Sequence, residues 1–384
     1  RVGFIRSGGS MIAVKYLGPY QDSSGYGEAT RNAIMALTTA GADICTEKIA
    51  FTKHHSDSPS VRTIDELSER KPDYKIKILH VTPDLYKNHI EKNKYNIGHL
   101  FWETDKLPSS WVPSCNLLNE VWTGSELNAK AIRSSGVTVP IYIYPQSINT
   151  DIPEVRPYRI KGFDGLLFYS IFEWKERKNP RALLDSFWKE FKGMTDVALL
   201  IKAHIGDYEK EGVEKILHEA RLWKNTLGFK DTPKVFICTN HLTYEEKHRL
   251  HKTGVCFVSS HRGEGWGLPQ VEAALHTKSI ISTKYGGVHE HWTAKQYKPV
   301  DFDLVPIKQI YNKYYEPGMQ WAEINQEDLR KKMRRIYDVW SNPKSRGILK
   351  ITANAARNYV KTFFSYQVVG KAMLERLQEI EKGL

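Results

Sequence analysis

Two carboxylates, Glu264 and Glu272, have seven residues between them in the stretch Ser260-His-Arg-Gly-Glu-Gly-Trp-Gly-Leu-Pro-Gln-Val-Glu-Ala-Ala-Leu275, with Gly263, Gly265 and Gly267 around the first of them. Pro269 suits the first turn of a helix, where its missing N–H costs nothing, so the spacing predicts a loop followed by a helix over Pro269–Leu275. Glu264 then lies in the loop and Glu272 about one turn into the helix, and both can face one pocket. Glycines let a ligand come close to the backbone, and the first amides of a helix favour an anionic group. Carboxylates accept hydrogen bonds from the vicinal hydroxyls of a sugar or ribose ring. A carboxylate pair beside a phosphate-friendly helix start therefore suits a nucleotide-linked sugar. The bland alternative, a helix-dipole residue and a solvated loop residue, leaves three glycines in five positions unexplained.

A second cluster is cationic. In Glu173-Trp-Lys-Glu-Arg-Lys-Asn-Pro180, Arg177 and Lys178 precede Asn179, a helix N-cap type, and Pro180. Cations at such a helix start can stabilise the negative charge that grows on a leaving diphosphate, and Lys178 is the first candidate, with Arg177 beside it. Solvated surface charge is the competing reading. Lys202, at the end of the predicted strand Val197–Lys202, is a further phosphate candidate, with simple strand-end solvation equally open. Gly25 and Gly27 open a helix after the first strand, where backbone amides could reach a diphosphate or an acceptor. His80 ends a strand and competes with His99 for a contact to a transferred group. Glu103 either acts on an acceptor hydroxyl or braces its loop, while Trp102 and Trp111 read as packing.

These residues need elements to position them, and a chain of 384 residues is too long for one ordinary core. Strand patterns at Met11–Leu17, Lys75–His80, Ile97–Trp102 and Glu120–Thr123 alternate with helical or polar stretches, as in a parallel sheet with crossovers. A proline-bearing, aperiodic segment over about 145–163 reads as a connection between domains. The pattern restarts with strands Leu166–Phe172, Val197–Lys202, Lys234–Cys238 and Val255–Ser259. Helices Pro180–Phe191, Gly212–Leu227, Tyr244–His251 and Pro269–Leu275 separate and follow them. The predicted class is α/β, with two Rossmann-like, doubly wound parallel-sheet domains facing a cleft, where such folds bind ligands. The expected division is 11–150 for an acceptor-side domain, 151–365 for a donor-binding domain, and 366–384 for a C-terminal helix returning toward the first. Residues 1–10, preceding Met11, read as a leader or an expression remnant.

The formal net charge is +12, of which +2 falls in residues 1–150 and +10 in 151–384. An excess of this kind suits phosphates, an anionic surface or DNA. The basic segment Leu329–Trp340 has helical apolar spacing, so it is either an amphipathic helix with a solvated basic face or an electrostatic footprint for nucleic acid or an anionic membrane. Four scattered cysteines match no zinc or redox spacing and fit reduced thiols, the expectation for a cytoplasmic protein, peripheral to a membrane at most. The apolar runs are strand-sized, far short of the ~20 residues a membrane helix needs.

The Glu264–Glu272 stretch resembles the glutamate-seven-residues-glutamate motif of the family 4 retaining glycosyltransferases. The likeness extends through Gly25-Tyr-Gly27, Phe101-Trp-Glu-Thr-Asp-Lys-Leu-Pro108, Val121-Trp-Thr-Gly-Ser125, Arg177-Lys-Asn179 and Gly286-Gly287, in the expected order. The resemblance implies the GT-B fold and transfer, with retention, from a UDP- or GDP-sugar to an acceptor hydroxyl on a glycan or lipid-linked glycan. It implies no required cofactor and no metal ligands. Glu272 would hold the ribose and Glu264 the transferred sugar, with backbone contacts from Gly265 and Trp266 and the donor loop completed by Gly267 and Leu268. His80 would touch the same sugar. The family's arginine before the lysine is missing from Ser170-Ile-Phe-Glu-Trp174, and Arg177 is its candidate substitute. Two alternatives stand beside this reading: transfer to modified DNA bases, and a non-catalytic nucleotide- or glycan-binding module.

Overall fold

The computed structural model describes residues 11–206, 208–309 and 311–384. The segment 1–10, read above as a leader or remnant, lies outside them. The first half builds a six-stranded parallel sheet from β1 (Ala13–Gly18), β2 (Asp43–Lys48), β3 (Ile76–Leu79), β4 (Tyr95–His99), β5 (Glu120–Thr123) and β6 (Ile141–Ile143), in the order β2-β1-β3-β4-β5-β6. A second parallel six-stranded sheet follows with β7 (Leu166–Glu173), β8 (Val197–His204), β9 (Lys234–Cys238), β10 (Cys256–Ser259), β11 (Ser279–Thr283) and β12 (Lys298–Val300), ordered β12-β11-β10-β7-β8-β9. An antiparallel ribbon, β13 (Phe302–Pro306) with β14 (Gln320–Ile324), is added to it in sequence.

Helices on both faces explain the near-continuous apolar runs, because strands buried on two sides have no polar face to alternate with. Leu166 to Ser170 is buried at every position. One core gathers around β7 and β8 with helix Pro180–Glu190, whose Leu183, Leu184 and Phe187 are fully buried. Another gathers around β1 and β3 with helix Gly25–Ala40. Residues 144–165 contain no helix or strand, only a single bridge from Ile148 to Ser365.

Three helices end the chain; the first two pack on the second half and the last crosses to the first. Helix Gln326–Ser341 lies on helix Pro180–Glu190, with Arg330 and Arg334 both on Glu190 (3.1 and 2.7 Å). Helix Gly347–Phe363 packs Ala356 and Val360 against the core under helix Leu268–Leu275. Helix Tyr366–Lys382 packs on helix Gly25–Ala40, and Gly370 makes the crossing close: a Cβ there would sit 2.1 Å from the carbonyl oxygen of Ala36.

The structure differs from the strand pattern at one functionally useful place. The run Ile97–Trp102 does not continue as a strand; β4 ends at His99, and Leu100–Trp102 turns out of the sheet. Phe101 there meets Gly265 of the opposite half, where a Cβ would lie 3.2 Å from Phe101 Cβ. β2, β6, β11, β12 and the ribbon are additions to the sequence reading, short or polar enough to lack a strong period-two signal.

Candidate active site

β7 and β10 are hydrogen-bonded neighbours, so the loops leaving their carboxyl ends emerge side by side. After β7, a short 3-10 turn carries Arg177 and Lys178. Asn179, at φ 52, caps helix Pro180–Glu190 by accepting from Ala182 N. After β10, the glycine loop presents Glu264. Residues 86 apart in sequence thereby meet: Lys178 Nζ donates to Glu264 Oε2, with both side chains 13% exposed. Arg177 reaches the same loop, donating to Gly263 O at 2.7 Å, and its Nε lies 3.0 Å from Glu103 Oε1. Tyr315 also donates to Glu103, at 2.6 Å.

Burial alone pushes the Glu264 carboxyl upward, but Lys178 and Arg177 outweigh it and hold the group at about 2. Burial and the neighbouring Arg177 draw the Lys178 ammonium below its usual value, and Glu264 opposes them. For Arg177, burial lowers the value while Glu103 raises it further, so the guanidinium stays charged. Two cations and a carboxylate thus sit in one poorly hydrated corner between the halves, where charge interactions are stronger than in water.

The glycines of this loop and of the turn that meets it have separate reasons. Gly267 takes φ 115 at the N-cap of helix Leu268–Leu275, a conformation that side chains resist. Gly286 and Gly287 let a neighbouring turn close on the loop: Gly287 N donates to Glu264 O (3.2 Å) and Val288 N to Trp266 O (2.8 Å). Trp266 itself is buried against Phe364, and Leu268 is buried beside it.

Glu272 stands one turn into the helix, 5% exposed, and its carboxylate already has partners. Lys247 Nζ donates to Oε1 at 2.5 Å, and His251 Nε2 lies 3.3 Å from Oε2. The same ammonium reaches both oxygens of Glu28 in helix Gly25–Ala40, at 3.0 and 2.7 Å. Burial raises the Glu272 carboxyl, and Lys247 more than reverses that. A cavity of about 220 Å³ opens beside these groups between the halves, lined among others by Arg31, Asn32, Tyr244 and His248.

His80 and His99 form one cluster, with ring centroids 4.4 Å apart. The Tyr16 hydroxyl lies 2.9 Å from Nδ1 of each. One hydroxyl proton serves one acceptor, so Tyr16 donates to one imidazole and accepts from the other, and the two rings must carry opposite tautomers. Burial drives both well below the usual histidine range, His99 to about 3, so both are neutral. Phe101 separates this cluster from Gly265.

Lys202 lies apart from the Lys178 corner. It is 5% exposed, its ammonium is 4.7 Å from the Tyr208 ring, and burial lowers it to about 8. Aromatic rings surround that place, with His204 stacked on Tyr208 and His241 stacked on His54 of the first half. The two early glycines diverge. A Cβ on Gly27 would strike Asp22 O at 2.3 Å, and its amide already donates to Ser24 Oγ, so the turn itself needs this glycine. Gly25 faces open space.

Sequence reasoning missed Lys247 and Glu28 as partners of Glu272 and left Glu103 undecided. No local signal joins them: Lys247 is 25 residues from Glu272 and 219 from Glu28. In the basic segment 329–340, Arg330 and Arg334 meet Glu190 of helix Pro180–Glu190 and Lys332 meets Asp328, while Lys331 meets Glu327 in a pair exposed to solvent. Among the described residues, no helix is long and apolar enough to cross a membrane.

No protein-family model matches the chain, and no curated protein matches it by sequence. Solved structures match it by shape. HepE of Anabaena, crystallised with UDP and glucose, superposes with a TM-score of 0.65 at 10% identity, over 96% of this chain and 100% of that one. Sucrose-phosphate synthase from Thermosynechococcus elongatus gives 0.69 at 12% identity, over 97% and 100%. A glycosyltransferase from Rickettsia africae gives 0.63 at 14% identity, over 98% and 100%. At such identities the likeness defines the fold: two parallel six-stranded sheets in the α/β arrangement of GT-B glycosyltransferases.

Proposed function

We propose that the protein is a glycosyltransferase of the family 4 type that moves a sugar, with retention, from a UDP- or GDP-sugar to an acceptor hydroxyl on a glycan or lipid-linked glycan. The observation that carries this reading is the Lys178–Glu264 pair at the carboxyl ends of adjacent strands, with Glu272 a turn into the helix that follows. A nucleotide-sugar laid along this edge would place its ribose hydroxyls on Glu272, its diphosphate toward Lys178 and Arg177, and its sugar against Glu264 and the Gly265–Trp266 backbone.

As the bond between the anomeric carbon and the phosphate oxygen breaks, negative charge grows on the diphosphate, and Lys178 and Arg177 meet it. The acceptor oxygen then bonds to the anomeric carbon from the same face, and its proton passes to a phosphate oxygen of the leaving group. No separate protein base is required by that sequence. Fixed cations in a buried site contribute most where charge develops. The crystallisation of HepE with UDP, with UDP-glucose, and with UDP and glucose supports the choice of donor class.

The test is a mass-spectrometric screen of the purified protein against UDP- and GDP-sugars. Release of UDP or GDP is expected, with Glu264→Gln lowering it at least about a hundredfold. Absence of any binding or cleavage, or an undiminished Glu264→Gln variant, refutes the reading.

A further inference from the structure

One ammonium joins the two halves at the carboxylate assigned to ribose. Lys247 stands on helix Tyr244–Thr253 of the second half, yet both oxygens of Glu28, from the first turn of helix Gly25–Ala40, accept from it. The same Nζ donates to Glu272 Oε1. The first half grips this helix a second time, because Asp57 Oδ1 accepts from Tyr244 N at 2.7 Å. On the other side of Glu272, His251 is placed by the Tyr169 hydroxyl at 3.0 Å from its Nδ1, and burial keeps it neutral. Lys247 is thus the cation that offsets Glu272, and it divides its three donors between a carboxylate that belongs to the second half and one that arrives only when the halves meet. The neighbouring cavity shows that the bridge borders open space rather than packed core.

We infer that Lys247 is a positioning residue through which closure of the two halves is transmitted to Glu272. This rests on the reading that Glu272 holds the ribose of the donor. With the halves apart, the ammonium turns wholly to Glu272 and competes with the ribose hydroxyls for its oxygens. With Glu28 engaged, that hold is shared, and Glu272 offers its lone pairs to the nucleotide. Linkage requires the reverse as well: hydroxyls bonding to Glu272 release Lys247 toward Glu28 and favour closure. Neither Glu28 nor Lys247 need touch the reacting atoms.

The experiment is calorimetric titration of UDP and GDP, with their 2′-deoxy forms, into the full chain and its Glu28→Gln, Lys247→Met, Lys247→Arg, double Glu28→Gln/Lys247→Met and Glu272→Gln variants. Glu28→Gln should weaken the diphosphate that wild type binds by about fivefold, in the range of one partly buried charge pair. In the Lys247→Met background the same change should cost less than about twofold. Lys247→Arg should restore sensitivity to Glu28, and the 2′-deoxy ligand should show a smaller Glu28 effect than the ribo form. A purely structural role for the bridge would lower melting temperature but give equal Glu28 penalties in both backgrounds; that additivity, or an unchanged Glu28→Gln affinity, overturns the inference. Wild-type protein that binds neither diphosphate, or Glu272→Gln that binds as wild type does, instead removes the ribose reading beneath it.

Discussion

Replacing Lys178 by Met separates the two roles assigned to its ammonium. In the folded protein it faces Glu264 with each side chain only 13% exposed, and the nearest other cation, Arg177, is itself engaged by Glu103. Removing the ammonium leaves a buried carboxylate with incomplete compensation, which typically costs about 3–5 kcal/mol. Removing both charges, in Lys178→Met/Glu264→Gln, leaves no uncompensated ion, and replacing a whole buried pair is often close to neutral. The double variant should therefore be more stable than Lys178→Met alone. Catalysis should behave differently: loss of one fixed donor to developing charge costs roughly 10²–10³ in kcat, about 2.7–4 kcal/mol, and the second substitution cannot return it. Urea unfolding at pH 7 read beside initial rates of nucleotide release gives both quantities. A double variant destabilised by the sum of its singles would refute the buried-pair argument. A Lys178→Met enzyme within a few-fold of wild type would refute the catalytic one.

Acid should destabilise the fold in two stages. His99 and His251 are held at about 3 and His261 at about 4, below the ordinary 6.5, so their contribution is complete above pH 6.5 and is lost as pH falls toward those values, on the order of 1.4 kcal/mol per pH unit each. Glu264, held at about 2 against 4.5, adds a second loss between pH 4.5 and 2, and equal urea midpoints at pH 7 and 5 would contradict the first stage. Gly370→Ala should force helix Tyr366–Lys382 off Ala36 and cost about 1–3 kcal/mol by overpacking; an unchanged thermal midpoint would show that the crossing yields freely. Because Lys178 and Arg177 are assigned the charge of the leaving diphosphate, transfer should persist after chelation with EDTA. A rate that falls with EDTA and returns with Mg²⁺ or Mn²⁺ would reassign that charge.

What the sequence made legible was local. The glycine loop, Pro269 and the carboxylate pair share sixteen residues, so their geometry follows from turn and helix chemistry alone. The apolar runs of β7 and β8 were likewise visible because strands covered on both faces need no alternation. What stayed hidden depends on strand order. Nothing in the spacing of Lys178 and Glu264 brings them together; the insertion of β10 beside β7 does. Glu103 shows the same limit from the other half. Its sequence context allowed either an acceptor contact or a brace, and the fold gives its Oε1 to Arg177 and Tyr315, which ties the turn after β4 to the donor loop across the interface. A carboxylate so engaged holds Arg177 beside Gly263, so under the proposed function Glu103 would act on the diphosphate through Arg177. Its removal should therefore disturb donor binding before it disturbs the acceptor.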